Sequence, residues 1–120
     1  MSTITPFRLP EAPAATDLVA KYFRALGDPT RLRILELLHD EGELSVGVLV
    51  HRLGVSQPKV SNHLACLRWC GFVHTRREHR VVHYRIADDR VEQLLALGRA
   101  LLADNAEHVA SCCRVPEGTP

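Results

Sequence analysis

Apolar residues recur at helical spacing along most of this chain, and the breaks between runs fall on residues that cap or stop helices. Over about residues 16–26, Leu18, Val19, Tyr22, Phe23 and Leu26 share one face, and Gly27 closes the segment. Asp28-Pro29 restarts the chain as N-cap and first helical residue. The second helix runs to about residue 40 with Leu32, Ile34, Leu35, Leu37 and Leu38 turned inward. After a turn at Asp40-Glu41-Gly42, Ser45 caps a short third helix over residues 46–53, and Gly54 ends it. Only Gly54 and Val55 separate it from a fourth helix that starts at Ser56 and stops at Gly71. There the Ser56 hydroxyl is expected to cap the first free N–H groups, Pro58 falls in the first turn, and Val60, Leu64 and Leu67 form the inner stripe.

Beyond Gly71 the period changes from 3.6 to 2. Residues 72–75 and 81–86 are strand-like, rich in β-branched and aromatic side chains, and the basic stretch 76–80 joins them as a hairpin tip. Asp88 or Asp89 caps a last helix running to about residue 103. The order α1-α2-α3-α4-β-β-α5 is mainly α with a small β-hairpin: a helix-turn-helix followed by a wing. Residues 1–14, with Pro6, Pro10 and Pro13, read as a flexible N-terminal arm. Residues 15–104 read as the DNA-binding and dimerisation domain, and residues 105–120 as a C-terminal tail. Val91, Leu94, Leu95, Leu97, Leu101 and Leu102 cover more than one face of the last helix. With Leu18, Val19 and Tyr22 of the first helix, Val91, Leu94, Leu95, Leu101 and Leu102 are expected to form a homodimer interface.

Charge changes this picture more than bulk composition does. The formal net charge is only +1, yet residues 52–85 carry seven basic side chains against Glu78 alone, a local +6. The exposed polar set of the fourth helix is Ser56, Gln57, Lys59, Ser61, Asn62 and His63, short donors and acceptors able to reach base edges and phosphates from a major groove. Arg76, Arg77 and Arg80 stand on the wing, placed for phosphates. The expected partner is double-stranded DNA. No nucleophile–base constellation or phosphate-cradling loop is visible, so an enzyme with a small-molecule substrate is not expected. No apolar run approaches membrane-spanning length and no secretory signal is seen, so the expected location is the cytoplasm.

Four cysteines in such a chain point to metal or redox chemistry. Cys66 and Cys70 lie four apart on one helix face, with Cβ atoms about 5–6 Å apart. That is too far for a disulfide in an intact helix but suits two thiolates sharing one large ion. They could equally be small buried hydrophobes. Cys112 and Cys113 could be ligands or a redox-reactive pair, the latter making the chain a thiol-redox switch instead. His39 and His51 read as surface residues, and His74 and His83 as partners across the wing.

Several stretches together resemble the ArsR/SmtB family of bacterial metal-responsive repressors: residues 25–35 (ALGDPTRLRIL), residues 56–64 (SQPKVSNHL) and residues 82–86 (VHYRI). The resemblance implies a winged-helix homodimer that binds a palindromic operator and is released by an effector. Its third-helix cysteine site is absent, because Glu43-Leu44-Ser45-Val46-Gly47 holds no cysteine. Its last-helix site is lost as well, since Asp88-Asp89-Arg90 lacks the required His and Leu101 stands where a later His is expected. What matches is the cadmium/lead-sensor (CmtR-type) branch, through Asn62-His63-Leu64, Cys66-Leu67-Arg68 and Cys70-Gly71. That likeness implies metal ligands Cys66 and Cys70 joined by a tail cysteine, Cys112 or Cys113. Three thiolates favour a soft effector ion, Cd(II), Pb(II) or Hg(II), with As(III) of the same class. One departure is His79, at a wing-turn position where the family often has Gly.

Overall fold

In the computed structural model, residues 14–112 are described. The elements are α1 (Ala15–Leu26), α2 (Pro29–Glu41), β1 (Glu43–Ser45), α3 (Val46–Leu53), α4 (Gln57–Trp69), β2 (Val73–Glu78), β3 (Val81–Ile86) and α5 (Asp89–Ser111). Most of the arm and Cys113 lie outside the described residues.

Local chemistry sets the boundaries. The Asp28 carboxylate accepts from the Arg31 N–H at 3.0 Å with Pro29 as first helical residue, and Ser45 accepts from the Val48 N–H at 3.2 Å. Gly54 ends α3 in the left-handed region at φ 66°, which a side chain would strain. The expected Ser56 cap is not made: its backbone carbonyl accepts from Val60, but its hydroxyl accepts no N–H. The hydroxyl is therefore left on the outer surface. Gly27 closes α1 without a left-handed turn, at φ −77°.

The C-terminus of α4 is built more tightly than its start. Gly71 takes φ 81°, its N–H donates to the Arg68 carbonyl at 3.0 Å, and the Phe72 N–H donates to the Leu67 carbonyl at 2.8 Å. This is a Schellman ending, and Phe72, fully buried, packs the turn into the core.

Three differences from the expected elements matter. A short strand, β1, joins the wing, giving an antiparallel sheet of order β1-β3-β2 with Leu44 opposite Tyr84. Three residues next to a helix cap carry too little alternation to announce a strand. The wing strands are longer than expected, so Arg76 and Arg77 lie in β2 and only His79 and Arg80 form the turn. His79 adopts φ 58°, the left-handed conformation that a glycine would supply freely. The register sets His74 opposite Arg85 and His83 opposite Arg76, so the two histidines are not cross-strand partners. Finally, α5 continues past residue 103 to Ser111, across a kink at Asn105 whose amide donates to the Leu101 carbonyl at 2.9 Å.

The core gathers Ile34, Leu35 and Leu38 of α2, Leu49 and Leu53 of α3, and Val60, Leu64 and Leu67 of α4 against Phe72 and Val73. Val91 and Leu95 of α5 also belong to it, which corrects their place in the expected dimer face: they lie on the helix stripe turned toward their own protomer. Leu94 is half-buried against the same core. Leu18, Val19, Tyr22 and Phe23 of α1 and Leu97, Leu101 and Leu102 of α5 remain exposed, Leu101 at 64%. No described helix is long and apolar enough to cross a membrane.

Candidate nucleic-acid interface and thiol pair

The polar front of α4 is held outward by the burial of its rear. With Val60, Leu64 and Leu67 locked in the core, Ser56, Gln57, Lys59, Ser61 and Asn62 are exposed on the outside. His63 differs from them. It is half-buried, its Nδ1 accepts from the Arg31 Nε–H at 3.1 Å, and it stands 3.9 Å from Asp28 Oδ1. Arg31 also donates to the Ala25 carbonyl at 3.3 Å, so one guanidinium ties the end of α1 to the middle of α4. The imidazole expected at DNA is thus first a fixture between helices. Nothing in the sequence joins Arg31 to a residue 32 positions away, so this tie was not legible there.

On the wing the three arginines are not equivalent. Arg76 is gripped by Glu43 of β1, with Nη2 at 2.7 Å and Nε at 3.2 Å from Oε1, and Glu78 lies 3.4 Å away. Pairing with Arg76 holds the Glu43 carboxyl below its ordinary range, and the same pair raises the Arg76 guanidinium above its own. Arg76 is therefore spoken for within the fold, a departure from its expected place on phosphate. Arg77 and Arg80 are exposed at the outer end of the hairpin. A polar helix front beside a basic antiparallel wing is able to lie in a major groove and along the flanking backbone.

The rear half of α4 carries the thiols. Cys66 and Cys70 are half-buried and free, at the edge of the core. Burial pushes the Cys70 thiol up, and the neighbouring Cys66 raises it further, while Arg31 and Lys21 pull the other way. The net direction favours the protonated thiol at Cys70. The Cys70 carbonyl, one of the unpaired carbonyls of the helix end, accepts from the Tyr22 hydroxyl at 2.8 Å. Cys112 is exposed at the far end of α5, beside Leu101, Leu102, His108 and Val109. Among the described residues no three His, Cys, Asp or Glu side chains converge on a metal position, so Cys66, Cys70 and Cys112 are not brought together; Cys113 lies outside the described residues.

The α3–turn–α4 unit with its wing defines a winged helix-turn-helix DNA-binding regulator. Residues 28–75 match the family model described as bacterial regulatory protein, arsR family. The chain is 45% identical over 100 residues to a probable mercury resistance operon repressor of Streptomyces lividans, covering 83% of this chain and 79% of that one. It is 41% identical over 101 residues to the HTH-type transcriptional regulator CmtR of Mycobacterium tuberculosis, covering 83% and 85%. A solution structure of a homodimeric winged helix-turn-helix domain from Mycobacterium bovis, a possible ArsR-family regulator, is 33% identical with a TM-score of 0.68, covering 88% of this chain and 92% of that one. This chain belongs to the arsR family of bacterial regulatory proteins. It is a transcriptional regulator and not an enzyme.

Proposed function

We propose that this protein is a repressor that binds operator DNA as a homodimer in the cytoplasm and is released by a soft thiophilic metal ion. The observation that carries the reading is the half-buried Cys66–Cys70 pair on the rear of the helix whose front is polar and exposed. The relatives named for mercury resistance and as CmtR support it. So does the exposed apolar face of α1 and α5, which suits a second copy of the chain.

The donor set fits such an ion. Two sulfurs one helical turn apart, with no third His, Cys, Asp or Glu converging on them among the described residues, favour Cd(II), Pb(II) or Hg(II), with As(III) in the same class. A soft cation supplies sulfur bonds there that neither water nor DNA can replace. Cys66 and Cys70 must surrender their protons to it, so the apparent affinity falls as pH falls, and the raised Cys70 thiol carries this dependence to higher pH. A third thiolate, Cys112 ahead of Cys113, would come from the tail.

Titration of the reduced dimer with Cd(II), followed by thiolate charge-transfer absorbance in the ultraviolet, tests the site directly. The band should grow to one ion per Cys66–Cys70 pair. Cys66→Ser and Cys70→Ser should each abolish tight binding, and Cys112→Ser should lose more intensity than Cys113→Ser. Full intensity in Cys66→Ser or Cys70→Ser would refute the site.

A further inference from the structure

One hydrogen bond joins the thiol-bearing end of α4 to the exposed face of α1, and its donor is a single side chain. The Tyr22 hydroxyl lies 2.8 Å from the Cys70 carbonyl, across 48 residues of sequence. Its ring packs on Phe72, with centroids 4.6 Å apart and planes inclined at 36°. Phe72 is the fully buried anchor of the Schellman turn, whose N–H groups are tied to Arg68 and Leu67. Tyr22 therefore grips the end of α4 twice, by its hydroxyl on Cys70 and by its ring on the residue two further along. Its other neighbours on α1, Leu18, Val19 and Phe23, belong to the exposed apolar face. The cleft beside it is walled by Gly71, Asp88, Arg90, Val91, Leu94 and Leu97, so α1, the α4–β2 turn and α5 meet at this ring.

We propose that Tyr22 is the positioning residue through which a change at the Cys66–Cys70 pair reaches α1 and, through it, the spacing of the two DNA-reading helices. This rests on the metal-released reading above and adds its route. Cys70 differs from Cys66 in where it sits. Cys66 is inside the helix, its carbonyl holding the Cys70 N–H at 3.0 Å, whereas Cys70 is the last residue before a left-handed turn. None of the turn's own hydrogen bonds uses the Cys70 carbonyl, so this is the backbone group of the pair that a new side-chain position can shift without undoing the turn. A hydroxyl–carbonyl bond tolerates only a few tenths of an ångström before it weakens. A shift of the carbonyl must either carry the tyrosine, and so α1, along or break the bond. The ring's seat on Phe72 favours the first, because the phenol has only two torsions and one of its faces is already fixed.

Tyr22→Phe removes the hydroxyl and keeps the ring, so packing on Phe72 survives. Two arms test the proposal. In the first, fluorescence anisotropy gives operator affinity with and without Cd(II). Allosteric couplings typically span about 5–150-fold, and a neutral hydrogen bond is worth a factor of about 2–10. Tyr22→Phe should keep the thiolate absorbance of the wild type while its release factor, taken against its own metal-free affinity, falls about 2–10-fold. An unchanged release factor overturns the proposal. The second arm needs no metal. Cys70→Leu, which enlarges the side chain in place, should alter amide exchange in residues 15–26 with Tyr22 present and leave it unaltered when combined with Tyr22→Phe. Equal effects in both backgrounds also overturn it. If the wild type ignores Cd(II), the metal-released reading fails, and the second arm still decides the role of Tyr22.

Discussion

The wing arginines show how residues of one type come to differ in function. Three arginines within five positions read from sequence as one basic tip, yet Arg76 faces Glu43 and Glu78 while Arg77 and Arg80 point to solvent. A guanidinium already paired with carboxylates releases no counterion from DNA, so it adds little to the salt dependence of binding. Arg77→Ala and Arg80→Ala should each weaken binding to all sequences and reduce the log–log salt slope by about one. Arg76→Ala should change the slope by clearly less and instead loosen β1 from the wing. Anisotropy titrations over a range of salt concentrations measure this, and equal slopes for all three variants would contradict the ranking. His63 follows the same logic, since Arg31 holds it before any DNA arrives. Neither distinction was readable in the sequence, because Glu43 and Arg31 lie more than 30 residues from Arg76 and His63.

At the scale of elements, legibility followed the strength of the local signal. The helix-turn-helix was plain because Ser45, Gly54, Pro58 and Gly71 mark its boundaries and Val60, Leu64 and Leu67 its inner face. β1 was hidden, since a three-residue strand exists only because β3 supplies a partner. The length of α5 was underread for a different reason: past Leu102 the regular apolar spacing ends, and residues 103–111 are exposed all round. Of the candidate site, the thiol spacing and the polar front were legible, whereas the seat of Cys70 at the helix end and its tie to Tyr22 were not. That seat depends on Phe72, which closes the turn and fills the space under α1. Phe72→Ala should therefore destabilise the fold by about 3–5 kcal/mol, the usual cost of emptying a buried aromatic site. The midpoint of urea unfolding reports it. A loss under about 1 kcal/mol would mean that the site collapses and that the turn does not rest on Phe72.

Across the whole molecule, the recognition helix is the shared part. Its front is free for DNA, its rear carries Cys66 and Cys70, and its end is held by Tyr22 from the helix with the exposed apolar face. The basic middle of the chain gives a strong local field although the net charge is only +1. The exposed leucines of α5, Leu97, Leu101 and Leu102, extend the apolar face of α1. A dimer built there would present two recognition helices to half-sites about one DNA turn apart, about 34–36 Å. Metal at the rear can release DNA only to the extent that the free and DNA-bound states differ in metal affinity. The central claim is that this difference resides in the pair Cys66 and Cys70. Its most direct test is operator affinity under reducing conditions, with and without Cd(II), for the wild type, Cys66→Ser and Cys70→Ser. The wild type should lose affinity by a factor within the usual range of about 5–150, and both variants should bind DNA as the metal-free wild type does while ignoring the ion. Release of either variant at the metal concentration that releases the wild type would contradict the account.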